Sequence, residues 1–99
     1  MSANNQILVK EYKGKWYVFG NIMAESWVHY DSKTESFDES RTNELSLQEA
    51  VSVHDTRDGA YEAALKFQVE CAKEGLELEY GVQFNRLCKD DAEVKIIEE

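Results

Sequence analysis

Residues 6–19 read QILVKEYKGKWYVF, and this stretch decides the fold. Two runs of β-branched and aromatic residues flank Lys13-Gly14, a pattern that is typical of two strands joined by a two-residue turn. Gly14 supplies the positive φ that such a turn requires. We therefore predict an N-terminal antiparallel β-hairpin in which Tyr12 pairs with Lys15.

Both faces of the predicted hairpin are largely apolar. Alternation places Glu11 on one face with four apolar side chains, Ile7, Val9, Trp16 and Val18. The opposite face carries two lysines, Lys10 and Lys15, and four large side chains, Leu8, Tyr12, Tyr17 and Phe19. We predict that the face with a single charge is the core face, although alternation alone does not decide between the two. The second face is then left for the C-terminal tail, the long loop or another subunit to cover.

Three segments follow the hairpin. Residues 27–30 are a candidate third strand, and residues 31–44 are predicted to form a long polar loop because Ser, Thr, Asp and Glu dominate them. Residues 45–53 are ambiguous. Their alternation favours a strand, whereas Ser46 and Glu49 equally form a capping box that starts a short helix.

The clearest element is a helix over residues 57–74. Asp55 or Thr56 can cap its N-terminus, and Gly75 stands where a left-handed C-cap belongs. Helical spacing places one apolar stripe along it, which consists of Tyr61, Ala64, Leu65, Cys71 and Ala72. We expect this stripe to face the sheet.

A half-buried strand is predicted directly after the helix, over residues 76–84, where large apolar residues occupy every second position. The side chains of Leu65, Leu78 and Tyr80 are therefore expected to be buried where the helix meets this strand.

These elements predict an α+β fold in which a mostly antiparallel sheet packs on one long helix. The order is β-β-(β)-(β)-α-β, in which the parentheses mark the two candidate strands in the middle of the chain. A length of 99 residues with 42% hydrophobic and 31% charged residues is that of an ordinary globular domain, so we predict one domain over residues 1–99. Residues 1–5 are expected to fray. The tail, residues 86–99, has one apolar run at 94–97 and either frays or adds an edge strand.

Composition narrows the classes of function. No apolar run is long enough to span a membrane, and two cysteines are too few for a disulfide framework, so the cytoplasm is the expected location. The formal net charge of -9 argues against direct binding to nucleic acid, because counterion release rewards cationic surfaces. It leaves open a partner with a basic surface.

Catalysis is the weaker hypothesis. The candidate residues are His29, His54, Cys71 and Cys88, and their spacing fits no zinc or redox motif. We therefore predict no metal and no cofactor. A small enzyme is kept as an alternative, and it would need a pocket that joins one histidine to a cysteine or a carboxylate.

The leading hypothesis is a small non-catalytic binding or accessory protein that acts through a protein–protein interface, with a protein partner or a second copy of itself. The interface is assigned to the second hairpin face, at Leu8, Tyr12, Tyr17 and Phe19. An alternative is an acidic inhibitor that imitates nucleic acid for a cationic partner. Its surface would comprise Glu35, Asp38, Glu39, Glu44, Glu70, Glu74, Glu77 and Glu79.

Overall fold

The N-terminal hairpin and one long helix organise the chain. The computed structural model describes residues 4–98. In chain order the elements are β1 (Asn5–Tyr12), β2 (Lys15–Met23), β3 (Val28–Asp31), β4 (Ser36–Thr42), β5 (Glu44–Ser46), a 3-10 turn (Leu47–Glu49), β6 (Ser52–His54), α1 (Arg57–Lys73), β7 (Val82–Phe84) and β8 (Lys95–Ile97). The predicted α+β class, with a mostly antiparallel sheet packed on one helix, is confirmed.

The main sheet has the strand order β6-β2-β1-β7. β1 and β2 pair antiparallel with Tyr12 opposite Lys15, as predicted, and the connecting residues Lys13 and Gly14 both have positive φ, 49° and 81°. β6 is antiparallel to β2, whereas β7 is parallel to β1. β6 and β7 therefore run in the same direction on opposite edges of the sheet, and α1 is the crossover that joins them.

The first core lies between the sheet and α1. Ile7, Val9 and Val18 are fully buried, with Trp16 packed beside them, so the predicted core face of the hairpin is confirmed. Each such aliphatic side chain stabilises the fold by roughly 1.5–3 kcal/mol relative to full exposure. The helix contributes mainly small residues to this core, Ala60, Ala64 and Cys71.

The predicted apolar stripe of the helix is only partly correct. Thr56 caps α1 through its side chain, and Ala64 and Cys71 are buried as expected. Tyr61 and Leu65, however, are 41% and 39% exposed. The small residues face the sheet because they allow the helix backbone to approach it closely. Among residues 4–98 no helix has both the length and the apolar character needed to cross a membrane.

The segment after the helix also differs from its prediction. Leu78 is buried, but Tyr80 is only half-buried, and strand pairing begins at Val82 rather than at Leu76. The chain turns toward β1 before pairing begins, and Gly81 adopts the positive φ, 62°, at this turn. Alternating hydrophobicity therefore overstated the length of this strand.

A second core covers the other face of the hairpin. Leu8 and Phe19 are buried there by residues from the middle and the end of the chain, Leu45, Leu87 and Val94. β8 pairs with β5 in a separate parallel ribbon beside them. The chain thus buries both apolar faces of its own hairpin.

The buried side chain of Gln6 attaches the C-terminal segment to this face. Its amide nitrogen donates a hydrogen bond to the carbonyl of Arg86 (3.2 Å), and its oxygen accepts one from the backbone N–H of Cys88 (2.8 Å). Of the two alternatives for the tail, the structure has the added strand: residues 86–98 pack against the hairpin and include β8. Asn5 of the expected N-terminal fray already belongs to β1, and residues 1–3 and 99 lie outside the described range.

The predicted long loop over residues 31–44 is wrong. β3 and β4 form a two-stranded antiparallel ribbon that includes 36–42. Residues 45–53 contain both of the predicted alternatives: short strands at either end and, between them, a 3-10 turn that the capping box of Ser46 and Glu49 starts. The capping box was a correct signal, but its helix is a single turn.

We predict that Gly20→Ala destabilises the protein by about 1–3 kcal/mol in urea denaturation. A Cβ added at Gly20 would lie 2.4 Å from the ring of Phe67, so the ring would have to move out of the first core. In a Phe67→Leu background the same substitution should be close to neutral, because the ring is gone. An equal loss of stability in both backgrounds would contradict this close approach.

We also predict two kinetically distinct thiols. Both cysteines are free; Cys71 is buried in the first core, and Cys88 is exposed. Burial raises the pKa of Cys71, with a smaller contribution from Glu74, so little thiolate is present at neutral pH. Titration with Ellman's reagent should show one fast thiol, which Cys88→Ser removes, and one that reacts only on unfolding. Two fast thiols would place Cys71 outside the core.

Candidate functional site

The four residues of the predicted interface occupy two different environments. Leu8 and Phe19 are 0% and 1% exposed, because the chain itself covers them. Tyr12 and Tyr17 are half-buried and contact each other edge to face, with ring centroids 6.4 Å apart. The assignment of Leu8 and Phe19 to an exposed surface is thus corrected by their burial.

Tyr12 is also attached to the end of the described chain. Its hydroxyl donates a hydrogen bond to Glu98 (2.7 Å), and Lys13 forms an ion pair with the same carboxylate (2.8 Å). These two contacts lower the pKa of Glu98, that from Lys13 the most. Tyr12 is therefore already engaged within the chain.

The candidate catalytic residues lie in separate parts of the fold. His29 is on β3, opposite Asp38, and His54 is on β6 at the edge of the main sheet. Cys71 is in the first core, and Cys88 lies in the segment between β7 and β8. Among the described residues no hydrogen bond joins a cysteine to a histidine, so these residues do not form a nucleophile–base pair.

His54 lies in an open depression with a cavity volume of about 480 Å³. The depression is lined by Lys15, Tyr17, Val53, His54 and Asp55. Lys15 donates to Asp55, which lowers the pKa of that carboxyl group and raises the pKa of Lys15. The His54 Nε2 atom is 2.9 Å from Ser52 Oγ. The ion pair is exposed, and the hydrogen bond of the His54 ring is with Ser52 rather than with either member of the pair.

Metal ligands are not clustered in the described part of the chain. Between residues 4 and 98, no three or more His, Cys, Asp or Glu side chains are placed to hold a metal ion together.

The acidic residues predicted to form a surface fall into two groups. Glu35 lies in the turn that joins β3 to β4, and Asp38 and Glu39 lie on β4. Glu44 follows the β3–β4 ribbon and pairs with Arg41 at 2.8 Å. The remaining four lie at or after the C-terminal end of α1, namely Glu70, Glu74, Glu77 and Glu79. Glu70 pairs with Lys73 at 3.4 Å, and Glu74 is the C-cap residue. On the β3–β4 ribbon these acidic residues lie close in sequence to two exposed aromatic side chains, Tyr30 and Phe37.

An aromatic pair on this ribbon is the feature that the sequence analysis missed. Tyr30 on β3 is paired with Phe37 on β4 in the strand register. Their rings meet edge to face, with centroids 5.1 Å apart and planes inclined by 65°. Tyr30 is 50% exposed and Phe37 is 64% exposed. Phe37 is the one large apolar residue in 31–44, which was the signal available in the sequence.

The base of the ribbon is held by Asn43. This side chain is buried, and its oxygen accepts a hydrogen bond from the Trp27 backbone N–H (2.9 Å), while the Asn43 backbone N–H donates to the Trp27 carbonyl (2.9 Å). Its amide nitrogen donates to Ser26 Oγ (3.2 Å). Asn43 has a φ of 57°, a conformation that asparagine tolerates better than most residues. Trp27 in turn packs against the second core, and it thereby connects the β3–β4 ribbon to that core.

Comparison of the chain with protein-family models, with curated proteins and with solved structures finds no match. The function has to be inferred from the surfaces of the molecule itself.

Proposed function

We propose that this protein is a non-catalytic protein-binding module whose β3–β4 ribbon is the contact surface, with Tyr30 and Phe37 as its anchors. The partner is a protein with an apolar cleft in a basic surface. The observation that carries the proposal is the exposed edge-to-face pair of these two rings.

The aromatic pair has the properties of a binding anchor. Tyr30 and Phe37 belong to neither hydrophobic core, so the fold does not account for their position on the ribbon. Aromatic side chains dominate the energetics of protein interfaces because they bury a large area and lose little rotamer entropy. The contact between the two rings limits the orientations of each before any partner binds, which reduces the entropy lost on association.

The charges of the ribbon indicate the chemistry of the partner. Residues 28–42 carry four acidic side chains, Asp31, Glu35, Asp38 and Glu39, against two basic ones, Lys33 and Arg41. Asp38 accepts hydrogen bonds from the Ser40 hydroxyl and backbone N–H, and these bonds lower the pKa of its carboxyl group. Electrostatic complementarity then favours a cationic rim around the cleft of the partner.

The root of the ribbon supports the same proposal. The hydrogen bonds of Asn43 with Trp27 and Ser26 fix the ribbon where it leaves the second core. A surface held in one orientation binds more tightly than a mobile one with the same contacts. The ribbon is therefore a preorganised element rather than a flexible loop.

The test compares three variants of the tagged chain as baits in extracts of the native host, followed by calorimetry with the purified partner. Tyr30→Ser/Phe37→Ser should weaken binding by at least about tenfold while the melting temperature changes little, because both rings lie outside the cores. Met23→Ser is the matched control: Met23 is a similarly exposed apolar residue (47%) on β2, and its loss should leave binding unchanged.

The third variant separates this proposal from nucleic-acid imitation. Glu35→Gln/Glu39→Gln removes two ribbon charges and leaves the rings in place. We expect a smaller loss than for the aromatic variant and a weaker dependence of binding on salt. If the charge variant abolishes binding and the aromatic variant binds normally, the chain acts through its carboxylates and the aromatic interface is wrong.

A further inference from the structure

A second exposed apolar surface lies on the outward face of α1. Tyr61, Leu65 and Val69 follow one another at intervals of four residues, which places them on one side of the helix. They are 41%, 39% and 53% exposed. The ring of Tyr61 lies 5.6 Å from that of Phe84, so this end of the stripe is held against β7. The side of the helix that faces the sheet carries the small residues Ala60, Ala64 and Cys71, and Leu65 and Val69 belong to neither hydrophobic core.

One flank of this stripe has an ordered charge pattern. From N- to C-terminus it reads Glu62, Lys66, Glu70 and Lys73, alternately acidic and basic. Within the chain these form two ion pairs, Lys66 with Glu62 at 3.8 Å and Lys73 with Glu70 at 3.4 Å. The formal charge of the flank is zero, whereas the whole chain carries -9. The flank is thus a region where the acidic chain does not repel a second copy of itself.

We propose that this face of α1 binds the same face of a second copy of the chain, with the two helices antiparallel. The two-fold axis lies at the level of Gln68 and Val69. Val69 then faces the partner's Val69, and Leu65 faces the partner's Ala72, which is also exposed in the single chain. A two-fold interface requires a surface that is complementary to itself, and this stripe meets the requirement.

The charge pattern selects the antiparallel arrangement. In this register Lys66 lies one residue from the level of the partner's Glu70, and Glu62 lies two residues from the level of the partner's Lys73, offsets that these long side chains span. The symmetry repeats both contacts, so four ion pairs between chains flank the apolar stripe. The existing pairs within the chain are exposed, with side chains 68–78% accessible, and exposed pairs contribute little. Exchanging them for pairs between chains therefore costs little.

This surface is independent of the ribbon. The ribbon is acidic and two copies of it would repel each other, whereas the α1 flank is balanced and self-complementary. A single pair of helices lies at the low end of the size range of specific interfaces, so we expect a micromolar dimer.

The test is sedimentation equilibrium of the full chain over a wide concentration range, with melting curves for each variant. The wild type should dimerise, and Val69→Ser should weaken the dimer by at least about fivefold with an unchanged melting temperature. Val53→Ser is the matched control, because Val53 is also 53% exposed but lies on β6. A wild type that stays monomeric at every concentration overturns the proposal, as does a dimer that Val69→Ser leaves intact.

A charge exchange tests the register itself. Lys66→Glu places two acidic side chains opposite each other at two symmetric points, and it should weaken the dimer by about tenfold. Lys66→Glu/Glu70→Lys restores opposite charges between chains and should return the dissociation constant to within about threefold of the wild-type value. A double variant that binds no better than Lys66→Glu alone would overturn the antiparallel register, and the comparison stays valid even if Val69→Ser fails to fold.

Discussion

A hairpin that is apolar on both faces is the constraint on which the rest of this structure depends. Ile7, Val9 and Val18 point to one side, and Leu8 and Phe19 point to the other, and all five are essentially fully buried. An isolated hairpin leaves both of its faces in water and is only marginally stable. The rest of the chain therefore has to pack against both faces of the hairpin.

The elements that pack on the two faces of the hairpin differ. On one side α1 places small side chains against the sheet, and Gly20 leaves room for the ring of Phe67. On the other side no single element is large enough, and the cover is assembled from short segments that are distant in sequence. Polar contacts hold this assembly in place: Gln6 bonds to two backbone groups of the C-terminal segment, and Asn43 joins the ribbon to Trp27.

The large apolar side chains that belong to neither hydrophobic core indicate where the protein binds. The exposed aromatic pair of Tyr30 and Phe37 and the outer stripe of α1 are apolar surfaces that the fold does not use. The two surfaces differ in charge and therefore favour different partners. The β3–β4 ribbon is acidic, whereas the charged flank of α1 has equal numbers of acidic and basic residues. Both proposals thus follow from one observation. The two hydrophobic cores bury only some of the large apolar side chains, and others are exposed on the surface.

Local signals in the sequence were sufficient for the hairpin and its register, the helix with its caps and the α+β class, since each depends on residues that are neighbours along the chain. The candidate interface was not accessible in this way. Alternation showed that Leu8 and Phe19 share a face, but only the tertiary structure decided that Leu87 and Val94, which are 68 to 86 residues away in the sequence, would cover it. Helical spacing likewise placed Tyr61 and Leu65 on the stripe predicted to face the sheet, whereas in the tertiary structure Ala60 and Ala64 pack there and Tyr61 and Leu65 are partly exposed. Periodicity records which side chains lie together on one element; what each face then meets depends on contacts between distant segments.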